Sequence, residues 1–129
     1  MSLAAKLEVM VVDDTSVSRM LITEALNQIG ISKLSLAKDG KQALAALMSK
    51  PVHLVISDQN MPELDGLGLL KALREYKPTN RIGFILISGS PDKTLIDRGR
   101  MLGLNNFIAK PFNTKTVKNA IEAVVGKLS

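Results

Sequence analysis

The sequence contains no cysteine among its 129 residues and only one histidine, His53. Without cysteine the chain has no disulfide bonds, no thiolate metal sites and no cysteine nucleophile. A single histidine excludes histidine-rich metal sites and catalysis that needs several imidazoles. Any metal site in this protein must therefore be built mainly from oxygen ligands.

Long hydrophobic runs are also missing. The longest apolar run covers residues 43–48, whereas a helix that crosses a bilayer needs about 20 apolar residues. Residues 1–6 hold one lysine and lack the apolar core and cleavage site of a secretory signal. We therefore expect a cytoplasmic protein that has no membrane partner.

Aromatic residues are few, at four: Tyr76, Phe84, Phe107 and Phe112. Lysine and arginine number 17 against 12 acidic residues, and the net charge of +5 raises the question of nucleic acid. No five like charges follow one another, however, and four rings offer little stacking surface for bases. We expect no nucleic-acid partner, and interpret the excess charge as a solvated basic surface or a contact for an acidic protein.

The remaining composition is that of one globular domain, which we expect to span residues 1–129. Apolar residues make up 46% of the chain, enough for one buried core. Five short apolar runs predict strands buried mostly on both faces, at 9–12, 34–36, 52–56, 84–87 and 107–109. Five longer stretches with helical spacing predict helices, at 16–29, 41–49, 66–76, 93–102 and 115–127. Gly30 and Gly103 are placed to end the first and fourth helices.

The strict alternation of five strands and five helices predicts a parallel sheet with helices on both faces, connected by right-handed crossovers. This architecture is a single-domain, three-layer α/β sandwich. Ligands bind such folds outside the carboxyl ends of the strands. The residues that follow each strand are therefore the candidates for a functional site.

Polar side chains follow four of the five predicted strands. Asp13 and Asp14 follow the first strand, and Asp58 follows the third. Ser88 and Lys110 follow the fourth and the fifth. Carboxylates a few Å apart repel one another, and a bound cation relieves that repulsion. Because the ligands are all oxygen atoms, they favour Mg²⁺.

These residue types also fit phosphoryl transfer. Asp58 can act as the nucleophile that takes a phosphoryl group, while Lys110 and the Ser88 hydroxyl meet the charge on the phosphoryl oxygens. Taken singly, Asp14 has the simpler interpretation of a helix cap, and Ser88 and Lys110 those of a loop residue and a surface charge. Their joint occurrence at the strand ends favours a site.

The sequence resembles the receiver domain of two-component response regulators over essentially its whole length, and within that family the stand-alone chemotaxis members. The resemblance rests on VVDD at 11–14, DG at 39–40, DQNMP at 58–62, DG at 65–66, Ser88, and KPF at 110–112. It implies a flavodoxin-like fold with the strand order 2-1-3-4-5.

The resemblance also implies roles for the site residues. Asp58 would accept a phosphoryl group from the phosphohistidine of a sensor histidine kinase. Mg²⁺ would be held by Asp14, Asp58 and the main-chain carbonyl of Asn60, with Asp13 assisting through water. Lys110 would pair with the phosphoryl oxygens, and the peptide bond that follows it, to a proline, would be cis.

A two-state switch is a further implication. Ser88 would move to bond the phosphoryl group and Phe107 would turn inward behind it. The face formed by the fourth predicted helix, the fifth strand and the fifth predicted helix would then bind a downstream protein. Phe107 stands where the chemotaxis members usually carry tyrosine, so a hydroxyl contact to the partner is missing.

Three alternatives stay open at this point. A Mg²⁺-dependent phosphatase would also use an aspartyl-phosphate intermediate, but its Asp-x-Asp signature is absent because position 15 is Thr15. A receiver that passes the phosphoryl group on within a phosphorelay would share every motif. A flavin-binding or purely structural module fits less well, since the first loop is acidic and lacks the glycines that a phosphate favours. We expect a signalling switch and not an enzyme.

Overall fold

The computed structural model describes residues 2–128, so the two terminal residues of the predicted domain lie outside the described residues. Its strands are β1 (Glu8–Val12), β2 (Lys33–Ala37), β3 (Leu54–Asp58), β4 (Gly83–Ser88) and β5 (Asn106–Ala109). All pair in parallel in one sheet with the order β2-β1-β3-β4-β5. The predicted parallel sheet and its strand order are confirmed.

Six α-helices surround the sheet in the part of the chain described, one more than the sequence predicts. They are α1 (Leu3–Lys6), α2 (Ser16–Ile29), α3 (Gly40–Ser49), α4 (Gly66–Glu75), α5 (Lys93–Met101) and α6 (Thr114–Val125), and a 3-10 turn covers Lys77–Thr79. The five predicted helices correspond to α2–α6, so the predicted partner face is α5-β5-α6. No helix among residues 2–128 combines the length and the apolarity needed to cross a bilayer.

The additional helix, α1, has four residues and is too short for an apolar repeat to reveal it. Ser2 caps it by accepting a hydrogen bond from the Ala5 amide. Ala4 and Leu7 are buried in the core, and the Ala4 amide donates to the carbonyl of Leu128 at the other end of the chain. Tertiary packing, and not local sequence, therefore stabilises α1.

The core lies on both faces of the sheet. On one face α1, α2 and α6 cover apolar side chains that include Val9 and Val11, and on the other face α3, α4 and α5 cover Met10 and Val12. The prediction that the strands are buried on both faces holds for β1, β3 and β4 and is wrong for the two edge strands. In β2, at one edge of the sheet, Leu36 is 54% exposed.

Two helices, α2 and α5, also end as predicted. Gly30 follows α2 in the left-handed conformation, with φ of 101°, and donates to the carbonyls of the last turn. Gly103 follows α5 with φ of 93°. Both glycines lie where the chain enters β2 and β5, at the amino edge of the sheet, whereas the loops that follow β1, β3, β4 and β5 meet at the carboxyl edge.

Candidate functional site

Three carboxylates gather at the carboxyl edge of the sheet. Asp13 and Asp14 follow β1, and Asp58 is the last residue of β3. One oxygen from each lies within 4.8 Å of the other two. Asp13 and Asp58 are 1% and 6% exposed, whereas Asp14 is open to solvent. The predicted acidic residues are thus brought together.

Asp13 is held on both carboxylate oxygens by donors from the start of α2. Its Oδ1 accepts from the amide and the hydroxyl of Thr15, at 3.0 and 3.2 Å. Its Oδ2 accepts from the Ser18 hydroxyl at 2.5 Å, and its carbonyl accepts from Arg19 at 2.8 Å. These donors could not be predicted from the sequence, because a hydroxyl near a helix start is equally typical of an ordinary cap. Asp13 is therefore oriented by the protein itself.

Asp14 makes no side-chain hydrogen bond within residues 2–128. The N-cap of α2 is Thr15, without a side-chain capping bond. The interpretation of Asp14 as a helix cap is therefore wrong, and its carboxylate is available to an external ligand.

Lys110 supplies the positive charge of the site. It follows β5, and its Nζ lies 3.2 Å from Asp58 Oδ1. Its amide donates to the carbonyl of Ser88 at 2.9 Å, and the peptide bond to Pro111 is cis, as the resemblance implies. The ammonium group of Lys110 thus forms an ion pair with Asp58.

The pKa of Asp58 is raised above its usual value of 3.8. Burial is the main cause, since a buried carboxylate loses its hydration. The hydrogen bond and the charge of Lys110 oppose the increase, while the charges of Asp13 and Asp14 add to it. A cation placed among the three carboxylates would remove this electrostatic penalty.

Ser88 and Phe107 share one face of the sheet. In the register of β4 and β5, Leu86 pairs with Phe107 and Ser88 pairs with Ala109. Ser88 is 4% exposed, and its Oγ accepts from the amide of Ser90 at 3.0 Å. Phe107 is half-buried against the core under α5. Ser88 lies at the carboxyl edge of the sheet, whereas Phe107 lies beside Leu86, two residues further from that edge.

Asn60 lies on the exposed loop between β3 and α4, two residues beyond Asp58. The loop turns tightly, because a Cβ on Gly66 would lie 2.7 Å from the Asp58 carbonyl. Gln59 is buried beneath the loop and bonds to the start of α4. Gln59 is not among the residues predicted from the sequence, although a glutamine directly after a buried strand is unusual enough to mark it.

The donor atoms at this edge fit Mg²⁺. Asp13, Asp14 and Asp58 contribute carboxylate oxygens, and neither sulfur nor imidazole lies in the cluster. Mg²⁺ prefers such hard oxygen ligands and keeps several waters, so it needs only one or two direct carboxylates. The exposed Asp14 leaves the site open on the side where water and a phosphate would enter.

Comparison with known proteins identifies the class. A family model described as the response regulator receiver domain matches residues 9–122. The chain belongs to this family. Receiver domains of this kind are signalling switches of two-component systems and not classical enzymes.

Several relatives of the chain are named chemotaxis proteins. The chain is 44% identical over 128 residues to the probable chemotaxis protein CheY of Rhizobium etli, covering 99% of each chain. It is 32% identical over 121 residues to chemotaxis protein CheY1 of Helicobacter pylori, covering 93% of this chain and 98% of the relative. The solved structure of Vibrio cholerae CheY4 superposes with a TM-score of 0.84 at 25% identity, covering 92% and 98%. The protein is therefore a CheY-like receiver, and the resemblance read from the motifs is confirmed.

Proposed function

We propose that this protein is a phosphorylation-controlled switch in chemotaxis signalling, with residues 1–129 acting as one receiver domain. Asp58 accepts a phosphoryl group from a sensor histidine kinase, and phosphorylation changes the binding of a downstream protein. The observation that carries the proposal is the buried Asp58 carboxylate, paired with Lys110 and lying beside Asp13 and Asp14. The match to the Rhizobium etli relative over 99% of both chains supports the single-domain reading.

In the chemical step, an Asp58 carboxylate oxygen attacks the phosphorus atom. The bond from phosphorus to the kinase histidine breaks, and the imidazole leaves with the electron pair of that bond. The product is an acyl phosphate on Asp58 and a free histidine on the kinase. Lys110 Nζ, already 3.2 Å from Asp58 Oδ1, lies where it can neutralise the phosphoryl oxygens.

The residues that would hold Mg²⁺ are Asp14, Asp58 and the main-chain carbonyl of Asn60, with Asp13 acting through water. Its hydrogen bonds to Thr15 and Ser18 suit Asp13 to this indirect role, since both of its carboxylate oxygens already accept from the protein. The bound metal ion supplies positive charge that offsets the carboxylates and the incoming phosphoryl oxygens. Asp14, which is free of protein donors within residues 2–128, would serve as a direct ligand.

The kinase approaches over the exposed start of α2. Val17, Met20 and Leu21 are 64%, 59% and 50% exposed, although all three are large and apolar. They lie within one and a half turns of α2, a few residues after Asp13 and Asp14 in the sequence. Beside them, a cleft of about 530 Å³ separates α2 from the loop after β5, lined in part by Leu21, Pro111 and Phe112. Apolar surface concentrated at the entrance of a site is typical of a protein contact.

The output is carried by Ser88 and Phe107. The phosphoryl group carries about −1.5 to −2 charge in place of the single charge of the Asp58 carboxylate, and it offers three acceptor oxygens. The Ser88 hydroxyl then has an acceptor for its proton and reorients from its present contact with Ser90. Because Phe107 shares the same face of the sheet one step away, its ring follows, and the α5-β5-α6 face changes shape for the downstream protein.

The test is intact mass spectrometry after incubation with Mg²⁺ and acetyl phosphate. We expect one phosphoryl adduct on the wild-type protein and none on Asp58→Asn or in EDTA. Asp97→Asn, at an exposed aspartate of α5, is the matched control and should carry the adduct. An adduct on Asp58→Asn, or none on the folded wild-type protein, contradicts the proposal. Continued release of phosphate over many turnovers would instead favour the phosphatase alternative.

A further inference from the structure

Gln59 connects the phosphoryl site to the start of α4. It lies between Asp58 and Asn60 in the chain and is only 9% exposed. Its side chain does not join the acidic cluster. Its Oε1 accepts from the Leu67 amide at 2.9 Å, and its Nε2 donates to Asp65 Oδ2 at 3.2 Å.

The backbone of Gln59 is held from both sides as well. Its amide donates to the Ile87 carbonyl on β4, and its carbonyl accepts from the Gly66 amide, both at 3.0 Å. Asp65 in turn caps α4 by accepting from the Gly68 amide at 2.8 Å. Gln59 and Asp65 thus share the free amides of the first turn of α4, and the two residues close the base of the loop between β3 and α4.

The packing at this base leaves little room for an alternative arrangement. A Cβ on Gly66 would lie 2.7 Å from the Asp58 carbonyl and 3.0 Å from Gln59 Oε1. A side chain that lost its hydrogen bonds here would leave the Leu67 amide and one oxygen of Asp65 without their partner, which a buried site tolerates poorly. The loop must then shift, and Asn60 is the first residue that moves with it.

We propose that Gln59 is a positioning residue for the Mg²⁺ site. Its bridge from Asp65 to the Leu67 amide fixes the loop so that the Asn60 main-chain carbonyl and Asp58 face the same ion. This inference rests on the proposed function, since it concerns the metal ion that the phosphoryl step requires. It assigns a role to a residue that touches neither the metal ion nor the phosphoryl group.

Gln59→Met tests the bridge, because methionine has a similar length but neither donor nor strong acceptor. Asp65→Asn is the second variant. Asp65 accepts from Gln59 on one carboxylate oxygen and from the Gly68 amide on the other, and asparagine has only one side-chain oxygen. Gln42→Met is the matched control, because Gln42 also accepts from a backbone amide, that of Lys38, at the start of α3. Mg²⁺ affinity is measured from the increase in unfolding free energy with Mg²⁺ concentration. Phosphorylation by acetyl phosphate is followed at limiting and at saturating Mg²⁺.

We expect Gln59→Met and Asp65→Asn each to weaken Mg²⁺ binding by about tenfold, the low end for residues that orient metal ligands. The double variant should bind Mg²⁺ no more weakly than either single one, because both remove the same bridge. Saturating Mg²⁺ should restore the phosphorylation rate, and Gln42→Met should bind Mg²⁺ like the wild-type protein. Unchanged Mg²⁺ affinity in a less stable Gln59→Met would overturn the positioning role alone. A wild-type protein that binds no Mg²⁺ would overturn the proposed function with it.

Discussion

Asp14→Asn is the substitution that tests the electrostatics of the site most directly. Asp14 is exposed and accepts no hydrogen bond among the described residues, so an amide of the same shape removes a charge and little else. In the absence of a metal ion, the wild-type protein holds three carboxylates within 4.8 Å of one another. We therefore expect the variant to be more stable than the wild-type protein in EDTA.

The magnitude follows from the separation. At 4.8 Å two unit charges repel by about 1 kcal/mol at the dielectric constant of water, and by about 3.5 kcal/mol at an effective value of about 20. Asp14 faces two such charges, but it is solvated and Lys110 offsets part of the charge of Asp58. A gain of about 1–2 kcal/mol in the free energy of unfolding is the expected result.

The assay is urea unfolding followed by far-ultraviolet circular dichroism, in EDTA and at saturating Mg²⁺. The wild-type protein should gain stability from Mg²⁺, whereas Asp14→Asn should gain little because a ligand is lost. Glu24→Gln, at an exposed carboxylate in the middle of α2, is the control and should change stability by less than about 0.5 kcal/mol in either buffer. An Asp14→Asn protein that is less stable in EDTA, or that responds to Mg²⁺ like the wild type, refutes the reasoning.

Three further predictions concern the charge, the input and the output of the switch. Because folding raises the pKa of Asp58, the ionised carboxylate destabilises the fold at pH values above that pKa. Asp58→Asn should therefore have a larger free energy of unfolding in urea than the wild-type protein in EDTA at neutral pH. This difference should vanish as the pH falls towards 3.8. Met20→Lys should slow phosphoryl transfer from the histidine kinase by about tenfold, the effect of losing one well-packed contact. The rate of phosphorylation by acetyl phosphate should stay at the wild-type level. Equal losses of rate with both donors would contradict docking of the kinase at α2. Ser88→Ala should still be phosphorylated, but phosphorylation should no longer shift the population of the inward Phe107 conformation, a coupling that is typically about fivefold or more. The NMR resonances of the Phe107 ring report this population. If they still shift when Ser88→Ala is phosphorylated, Ser88 does not carry the coupling.

Much of this fold can be predicted from local patterns. The bounds of α2 agree with the predicted 16–29, and β1 and β4 extend the predicted runs by one residue at one or both ends, because their buried sides repeat regularly. The pattern failed where neighbours elsewhere in the chain decide the outcome. β3 begins at Leu54 and not at residue 52, and α1 forms because Ala4 packs under the C-terminal residues. Both depend on contacts between distant parts of the chain.

The residue types of the site could be predicted, but their hydrogen bonds could not. Strand ends in a parallel sheet converge, so the positions of Asp13, Asp58 and Lys110 in sequence were enough to predict their proximity. The predicted start of α2 at residue 16 already makes Thr15 the cap position, but whether the Asp14 side chain bonds to the helix or faces the cluster depends on its orientation, which the structure shows. The bridge made by Gln59 depends on its rotamer and on the path of the loop, which no spacing rule describes.

The charge balance of the site does not by itself explain why Mg²⁺ and phosphorylation would act differently on the switch. Three carboxylates and one ammonium give a formal charge of −2 (−3 + 1), which one Mg²⁺ would bring to zero (−2 + 2). Phosphorylation replaces the single charge of Asp58 by up to about two, so the sum falls again by about one. Charge alone would therefore make the metal-bound and phosphorylated forms similar.

The two forms differ in the acceptors that they offer. At present the Ser88 hydroxyl oxygen accepts from the Ser90 amide, and Lys110 pairs with one of the two carboxylate oxygens of Asp58. A metal ion provides no acceptor for a hydroxyl proton, whereas a phosphoryl group provides three oxygens. Only phosphorylation then stabilises the moved position of Ser88 by a hydrogen bond, and with it the inward position of Phe107. The α5-β5-α6 face should consequently respond to the phosphoryl group and remain in its resting form when Mg²⁺ binds alone.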